Sequence, residues 1–364
     1  MNNKENKRSK EYRRADSAGT STLLSKKGDP HDILIGELGE KFKEYRQKWD
    51  RSGKCRVVQD FPLHLDIELS FTCNLRCGMC VFSLPMEERK KWGDLSKTLS
   101  YKTYRRIIDE GAQHGLCSVD FNVINEPLLQ RDLAKFVKYA KKKDIVDIMF
   151  NTNALLLTEE RSKELIEAGL TRIMFSLDAI RDATYKRIRI GSDFRKVMRN
   201  INRFVEIKKR LKKRLPITRV SFLVNKINCA EMNEFIDYWK DRVDFFSIQN
   251  FSNPFVGAPC YKECEEMFRI PGSDFDPNFI CPQPFQRLLI RNSGNVIPCC
   301  SWYGVQNVVG NIHQDTIHDI WNGKKIRAFR KAVNAERRSQ PAACRRCRFS
   351  LNPEKALLSK KVKI

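Results

Sequence analysis

Three cysteines stand close together in Cys73-Asn74-Leu75-Arg76-Cys77-Gly78-Met79-Cys80, a C-x3-C-x2-C triplet. Three thiolates in one tight loop can wrap one corner of a cubane iron–sulfur cluster, which takes four cysteines when fully ligated. A triplet leaves one iron open, much as a catalytic zinc site keeps one position free. An open iron can chelate amino and carboxylate groups and deliver an electron into the molecule that carries them. The same residues also admit readings as core thiols, or as a zinc site completed by a fourth ligand such as His64. Their tight spacing directly after an apolar strand favours the cluster. A second set runs Cys281-x12-Gly294-x4-Cys299, then Cys344-x2-Cys347. Two ligands flanking a hairpin and two in a C-x2-C knuckle can close a tetrahedral zinc site or a full [4Fe–4S] cluster. Spacing alone leaves both open.

The chain has 13 cysteines in 364 residues, and its polar N-terminus lacks the apolar core of a secretory signal. The expected compartment is the reducing cytoplasm, where ligation is a better use of cysteine than disulfides. Cys300 adjoins Cys299, and neighbouring side chains on an extended segment point to opposite faces, so only one can face a metal. Cys260 and Cys264 could be a hydrogen-atom donor, redox thiols or incidental loop residues. Cys55, Cys117 and Cys229 read as packing residues.

These groups need a scaffold, and the hydrophobic pattern supplies one. Strand-like runs occur at Leu63–Ser70, Ser118–Ile124, Asp147–Asn151, Arg172–Leu177, Arg219–Val224 and Phe245–Asn250. Helical stretches lie between them, at Tyr101–His114, Arg131–Lys142, Glu159–Ala168, Asp193–Leu215 and Ala230–Lys240. Alternation of this kind implies right-handed βαβ crossovers and a parallel sheet. Six strands are too few for a closed eight-stranded barrel, so the expected fold is α/β, a partial (β/α)6 TIM-like barrel with chemistry at the carboxyl ends of its strands. A small C-terminal cysteine-rich module of hairpin plus helix follows, with strands Leu288–Ile290 and Asn295–Ile297 around Asn292-Ser293-Gly294 and a helix over Ile317–Ala332. The expected organisation is a disordered basic tail over 1–31, an amphipathic helix and lead-in over 32–61, and the barrel over 62–252. A linker or lid over 253–280, the cysteine module over 281–352 and a basic tail over 353–364 complete it. The helix near the N-terminus carries Ile33, Leu34, Ile35, Leu38, Phe42, Tyr45 and Trp49 at helical spacing.

The triplet Cys73/Cys77/Cys80 together with this barrel resembles the radical S-adenosylmethionine (SAM) superfamily. Met79 stands where many members carry an aromatic residue. The resemblance implies a [4Fe–4S] cluster on the triplet whose reduced form cleaves SAM to a 5′-deoxyadenosyl radical that abstracts a substrate hydrogen. Asn125-Glu126-Pro127 lies where the family places Gly-Gly-Glu-Pro, with Asn125 in place of the last glycine, and Glu126 would accept from the SAM ammonium. Asn151-Thr152-Asn153 corresponds to a stretch near SAM, and Ser176-Leu177-Asp178 to a segment facing its ribose and carboxylate. The pattern Cys281…Gly294…Cys299…Cys344-x2-Cys347, with Gly310-Asn311-Ile312 and Ile320-Trp321-Asn322, resembles the SPASM/twitch extension of these enzymes. No cysteine follows Cys347, which implies one auxiliary [4Fe–4S] cluster.

Lys and Arg number 68 against 44 Asp and Glu, a formal net charge of +24. Such a field attracts anions without selecting one. The run Lys208–Arg214 ends a helix and complements its dipole. No aromatics interleave with the basic clusters, so nucleic acid is not the expected partner. No apolar run reaches the roughly 18 residues that span a membrane. By resemblance the expected reaction is oxidation or epimerisation of a small polar or anionic molecule, of sugar or aminocyclitol type, with flavodoxin or ferredoxin as electron donor. In an epimerase, Cys260, Cys264 or Cys300 would return the hydrogen atom. The rivals are peptide or protein modification and a non-catalytic zinc or RNA-binding module.

Overall fold

Leu65 and Ile67 alternate with His64 and Asp66 along one short strand, and the same period of two recurs in each strand beside it. In the computed structural model, which describes residues 12–15, 21–25, 28–251, 253, 255, 260–268, 279–335, 340, 342–345 and 347, these strands form one sheet. The strands are β1 (Tyr12–Ala15), β2 (Ser21–Ser25), β3 (His64–Ile67), β4 (Ser118–Asp120), β5 (Asp147–Thr152) and β6 (Arg172–Ser176). They continue as β7 (Ile217–Val224), β8 (Phe245–Asn250), β9 (Arg287–Ile290), β10 (Asn295–Ile297) and β11 (Gly310–Asn311). The spatial order is β1-β2-β8-β7-β6-β5-β4-β3-β9-β10-β11. From β3 to β8 every pairing is parallel, the six-stranded unit expected from the alternation. The sheet is extended beyond β3 by the C-terminal module, whose β9 lies parallel to β3 and antiparallel to β10.

One face carries Leu65, Val119, Ile148, Phe150, Phe175, Val220, Phe222 and Ile248, all buried in the main core with the crossover helices. The other face is polar, with His64, Asp66, Ser118, Asp120, Asn151, Arg219, Ser247 and Arg287. Arg219 Nη2 on β7 donates to Asn151 Oδ1 on β5 at 3.1 Å, across the intervening β6. The crossover helices pack on the apolar face, so in a partial barrel the polar face is the inner, concave one. The strand starts are covered by the helices Pro30–Leu38 and Glu40–Cys55, through Leu34, Phe42 and Tyr45 packed on Leu63, Ile217 and Phe245. Where the pattern predicts one helix, Gly39 at φ 72° divides it into two.

Several expected boundaries shift. The tail over 1–31 is not wholly loose: β1 and β2 pair antiparallel, and β2 pairs antiparallel with β8, an edge interaction that depends on backbone groups and leaves little mark in composition. Residues 1–11 and 353–364 lie outside the described residues. β4 stops at Asp120 rather than Ile124, because Asp120 Oδ1 accepts from Asn122 N at 3.0 Å and Asn125 Nδ2 donates to Phe121 O at 3.0 Å, bending the chain into a turn. The single helix expected over Ile317–Ala332 breaks at Gly323 into Ile317–Asn322 and Lys324–Asn334. Within the expected lid, Tyr261–Phe268 is helical. Among the described residues no helix is long and apolar enough to cross a membrane.

Candidate active site and metal centres

The triplet occupies the loop that leaves β3 at its carboxyl end. Cys80 N donates to Cys77 O, which turns the loop, and Arg76 N donates to Ile190 O, which ties it to the segment after the helix Asp182–Ile188, both at 2.9 Å. Phe71, Met79, Phe82, Trp92, Phe251, Phe255 and Phe268 form an apolar shell against which Cys73 and Cys80 pack. Burial pushes the Cys73 thiol up to about 12 and the Cys80 thiol up to about 11, and neighbouring triplet cysteines add to both. Three thiols that oppose one another's ionisation in an apolar shell suit a group that brings compensating positive charge. Among the described residues, the groups of three ligating side chains with donor atoms within 4.8 Å of one another are Asp60–His114–His318 and His64–Asp66–Asp120; neither cysteine set is among them. A tetrahedral zinc holds its sulfurs only about 3.8 Å apart, so a cubane fits the wider triplet better. His64 is no fourth ligand. It lies at the opposite end of β3, with Nδ1 2.8 Å from Ser118 Oγ and Nε2 3.5 Å from Asp66 Oδ1.

The SAM-side residues divide into two groups. Glu126, 3% exposed, accepts from Thr152 Oγ1 at 2.7 Å, Asn153 N at 2.8 Å and Leu128 N at 3.1 Å. Burial raises its carboxyl, and these bonds pull the other way. Asn153 Nδ2 donates to Asn74 Oδ1 at 2.8 Å, which ties the end of β5 to the cysteine loop. Glu126, Thr152 and Asn153 thus converge beside the triplet. The other four make contacts of their own. Asn125 holds its own turn, accepting from Val123 N at 3.0 Å. Asn151 faces Arg219. Ser176 ends β6 opposite Ser221 of β7. Asp178, with φ 65°, accepts from Leu223 N at 2.8 Å and pairs with Arg189.

Arg189 is a residue that sequence reading does not single out. Its Nη1 stands 3.7 Å from Cys77 Sγ, a donor aimed at a thiol of the triplet. Glu68 is another: it accepts from Ile124 N at 3.0 Å and from Arg291 Nε at 2.6 Å, joining the turn after β4 to the C-terminal hairpin. No motif marks either one, because both depend on strand neighbours far apart in sequence.

The polar face carries a further pair, in which Asp66 of β3 lies opposite Asp120 at the end of β4. Burial would raise the Asp66 carboxyl, but Arg287 and His64 outweigh it and hold it below the ordinary range. Burial, reinforced by Asp66, keeps the Asp120 carboxyl well above that range.

The second cysteine set also comes together. The Cys281 thiol is raised well above its ordinary value by burial, then by the charges of Cys347, Cys299 and Cys344. Gly304 approaches so closely that a Cβ there would stand 2.5 Å from Cys299 Sγ. The neighbouring Cys300 bears on Arg287, whose guanidinium also serves Asp66. Cys264 is buried and Cys260 half-buried; both pack on the apolar shell of the triplet, and burial raises Cys264 to about 12. Cys117 packs against the core beneath the strand starts, whereas Cys55 and Cys229 are exposed rather than packed.

Comparison with known proteins gives this geometry a family. Residues 67–239 match the radical SAM superfamily, and residues 281–348 match SPASM, an iron–sulfur cluster-binding domain. The chain is 30% identical over 185 residues to a probable GTP 3′,8-cyclase of Methanococcus vannielii, a match covering 51% of this chain and 56% of the relative. It therefore spans about half the length of that relative. A match over 306 residues, at 24% identity and covering 73% of this chain and 83% of the relative, joins it to a tungsten-containing aldehyde ferredoxin oxidoreductase cofactor-modifying protein of Pyrococcus furiosus. Among solved structures, Streptococcus suis SuiB bound to SAM shares the fold with a TM-score of 0.60 at 16% identity, over 92% of each chain. BtrN in complex with AdoMet and 2-DOIA does so with a TM-score of 0.51 at 19% identity, over 79% of this chain and 92% of that one. The two matched domains imply SAM, a [4Fe–4S] cluster and auxiliary iron–sulfur as cofactors. The chain carries a radical SAM superfamily domain over residues 67–239, followed by a SPASM domain over residues 281–348.

Proposed function

We propose that this chain oxidises or epimerises a small polar molecule, of sugar or aminocyclitol type, bound on the concave face of the sheet. Closed barrels of parallel strands fill that space with branched apolar side chains. Here it carries His64, Asp66, Asp120, Arg219 and Arg287, with charges of both signs, and this polarity is the observation that carries the reading. In this reading Cys73, Cys77 and Cys80 hold the SAM-binding cluster and Cys281, Cys299, Cys344 and Cys347 hold one auxiliary cluster. When bound and reduced, the first supplies from SAM a 5′-deoxyadenosyl radical that takes a hydrogen atom from the substrate. Glu126, oriented by Thr152 and Asn153, receives the SAM ammonium. Arg189 offers its guanidinium to Cys77. The apolar shell around the triplet, including the helix Tyr261–Phe268, keeps water away from it. Cys264, packed on that shell, is the thiol best placed to return a hydrogen atom in an epimerase, ahead of the half-buried Cys260, with Cys300 near Arg287 as the other candidate. Reducing power comes from an acidic flavodoxin or ferredoxin in the cytoplasm.

The test is anaerobic reconstitution followed by metal counting, with an expectation of about eight irons per chain for two cubane clusters. Incubation with SAM, dithionite and deuterated aminocyclitols or aminosugars should then place deuterium in 5′-deoxyadenosine. Stoichiometric zinc in place of the auxiliary iron, or deuterium transfer from none of these compounds, overturns the reading. A second reading, peptide modification, is favoured by β1, which ends the sheet order and, among the described residues, pairs with β2 alone. An extended peptide can add to such an edge. It draws support from the likeness to SuiB, described in complex with a precursor peptide.

A further inference from the structure

Away from the cysteine sites, Asp60, His114 and His318 bring a carboxylate and two imidazoles together where three segments of the chain meet. Asp60 belongs to the lead-in before β3. His114 follows the helix Tyr101–Gln113, and His318 lies in the helix Ile317–Asn322 of the C-terminal module. Asp60 Oδ1 stands 3.1 Å from His318 Nε2, and Asp60 Oδ2 stands 3.6 Å from His114 Nδ1. The three donor atoms lie within 4.8 Å of one another.

The groups are held for this arrangement from several sides. The His114 ring is stacked between Phe61, with centroids 5.2 Å apart, and His318, with centroids 4.8 Å apart. Phe61 is itself buried, so one wall of the stack is fixed. The lead-in is strapped to the C-terminal helix by Trp321 Nε1 donating to Gln59 O at 2.7 Å and by Asn322 Nδ2 donating to Asp60 O at 3.0 Å. His318 N donates to Glu110 Oε1 at 2.9 Å, which ties that helix to the one bearing His114. Both imidazoles are about one-third exposed and Asp60 is more open, so an ion can enter from solvent.

We propose that Asp60, His114 and His318 form a binding site for a borderline divalent transition ion such as Zn²⁺, which pins the lead-in and the barrel to the C-terminal module. Two nitrogens and one carboxylate oxygen suit zinc, whereas magnesium and calcium ask for oxygen donors. Water completes the fourth position. The ion would cross-link residues 258 apart in sequence, Asp60 and His318, and so stabilise the folded chain by binding it in preference to the unfolded one. This site is independent of the iron centres and of the substrate.

The experiment uses the reconstituted holoenzyme, with its clustering thiols occupied. It is exposed to one equivalent of Zn²⁺, desalted and assayed for zinc and iron, then examined by X-ray absorption at the zinc edge and by thermal unfolding. The wild type should retain one zinc per chain, with nitrogen and oxygen ligands at about 2.0–2.1 Å, and its unfolding midpoint should rise. His318→Gln and His114→Gln should each bind zinc at least about 100-fold more weakly, since even partners outside the ligand shell change metal affinity by 10- to 100-fold. Their iron content should be unchanged. Zinc that is not retained by the wild type, is retained equally by both variants, or is held by sulfur at about 2.3 Å overturns the proposal. That last result would also mark thiols left without iron, and the iron count separates it from failure of the cluster assignment.

Discussion

Asp178 and Arg189 form an ion pair beside Cys77 of the triplet, and Asp178 is only 1% exposed. Removing one partner of a buried pair leaves an uncompensated charge, at a cost of about 3 kcal/mol. Arg189→Met should therefore destabilise the apo chain by roughly that amount, and Asp178→Asn in the same chain should recover part of the loss; equilibrium denaturation of the three proteins checks this. Glu126 provides a pH test. Its carboxyl is raised by burial, so in the free enzyme it takes up a proton at higher pH than an exposed glutamate does. SAM brings an ammonium that prefers the ionised form. Affinity for SAM should accordingly be full at pH 8 and fall as pH drops through the raised value, and Glu126→Gln should weaken binding by about tenfold and remove the slope. A wild-type slope that persists in the variant assigns the titration to another group. The cysteines and Glu126 are legible in the sequence because their spacing and their neighbours carry the signal. Arg189 is not: it meets Cys77 from 112 residues away, in an ion pair with Asp178, whose backbone is left-handed.

Elements show the same division between local pattern and long-range closure. The six parallel strands follow from a period of two, and the crossover helices from a period near 3.6, since each must bury one face. The hairpin β1–β2 escapes because its pairing with β8 depends on a backbone edge more than 200 residues away, as Ser21 opposite Gln249 illustrates. Lys208 is another case. Helix-dipole reasoning leaves it in solvent, yet it is 8% exposed and pairs with Asp244 at 2.6 Å. In the C-terminal module the short helix Trp302–Gln306 presses on the cysteine segment through Gly304, where a Cβ would meet Cys299 O at 2.1 Å. Because the obstacle is backbone, the helix itself must move. Gly304→Ala should therefore lose the auxiliary centre, about four irons per chain, and keep the about four of the triplet. Retention of all the iron would mean that this helix does not shape the site.

At the scale of the whole molecule the dominant quantity is charge. The excess of 24 positive charges is spread along the chain, and buried pairs such as Lys208–Asp244, Arg172–Asp147 and Arg291–Glu68 take up acidic groups without reducing it. Pairs of that kind leave the surplus cations at the surface, where they create a long-range field. An acidic electron carrier approaching from solvent feels that field before it makes any contact, so its association rate rises with the potential and falls as salt screens it. The Debye length shortens from about 30 Å at 0.01 M salt to about 8 Å at 0.15 M, which bounds the range over which steering acts. Reduction of the reconstituted enzyme by flavodoxin should slow by about tenfold over that salt range, whereas reduction by a small dithionite-derived reductant, which needs no protein docking, sets the baseline for salt effects on the cluster itself. A flavodoxin rate that stays flat while the baseline is also flat would mean that the positive surface plays no part in bringing the donor to the site.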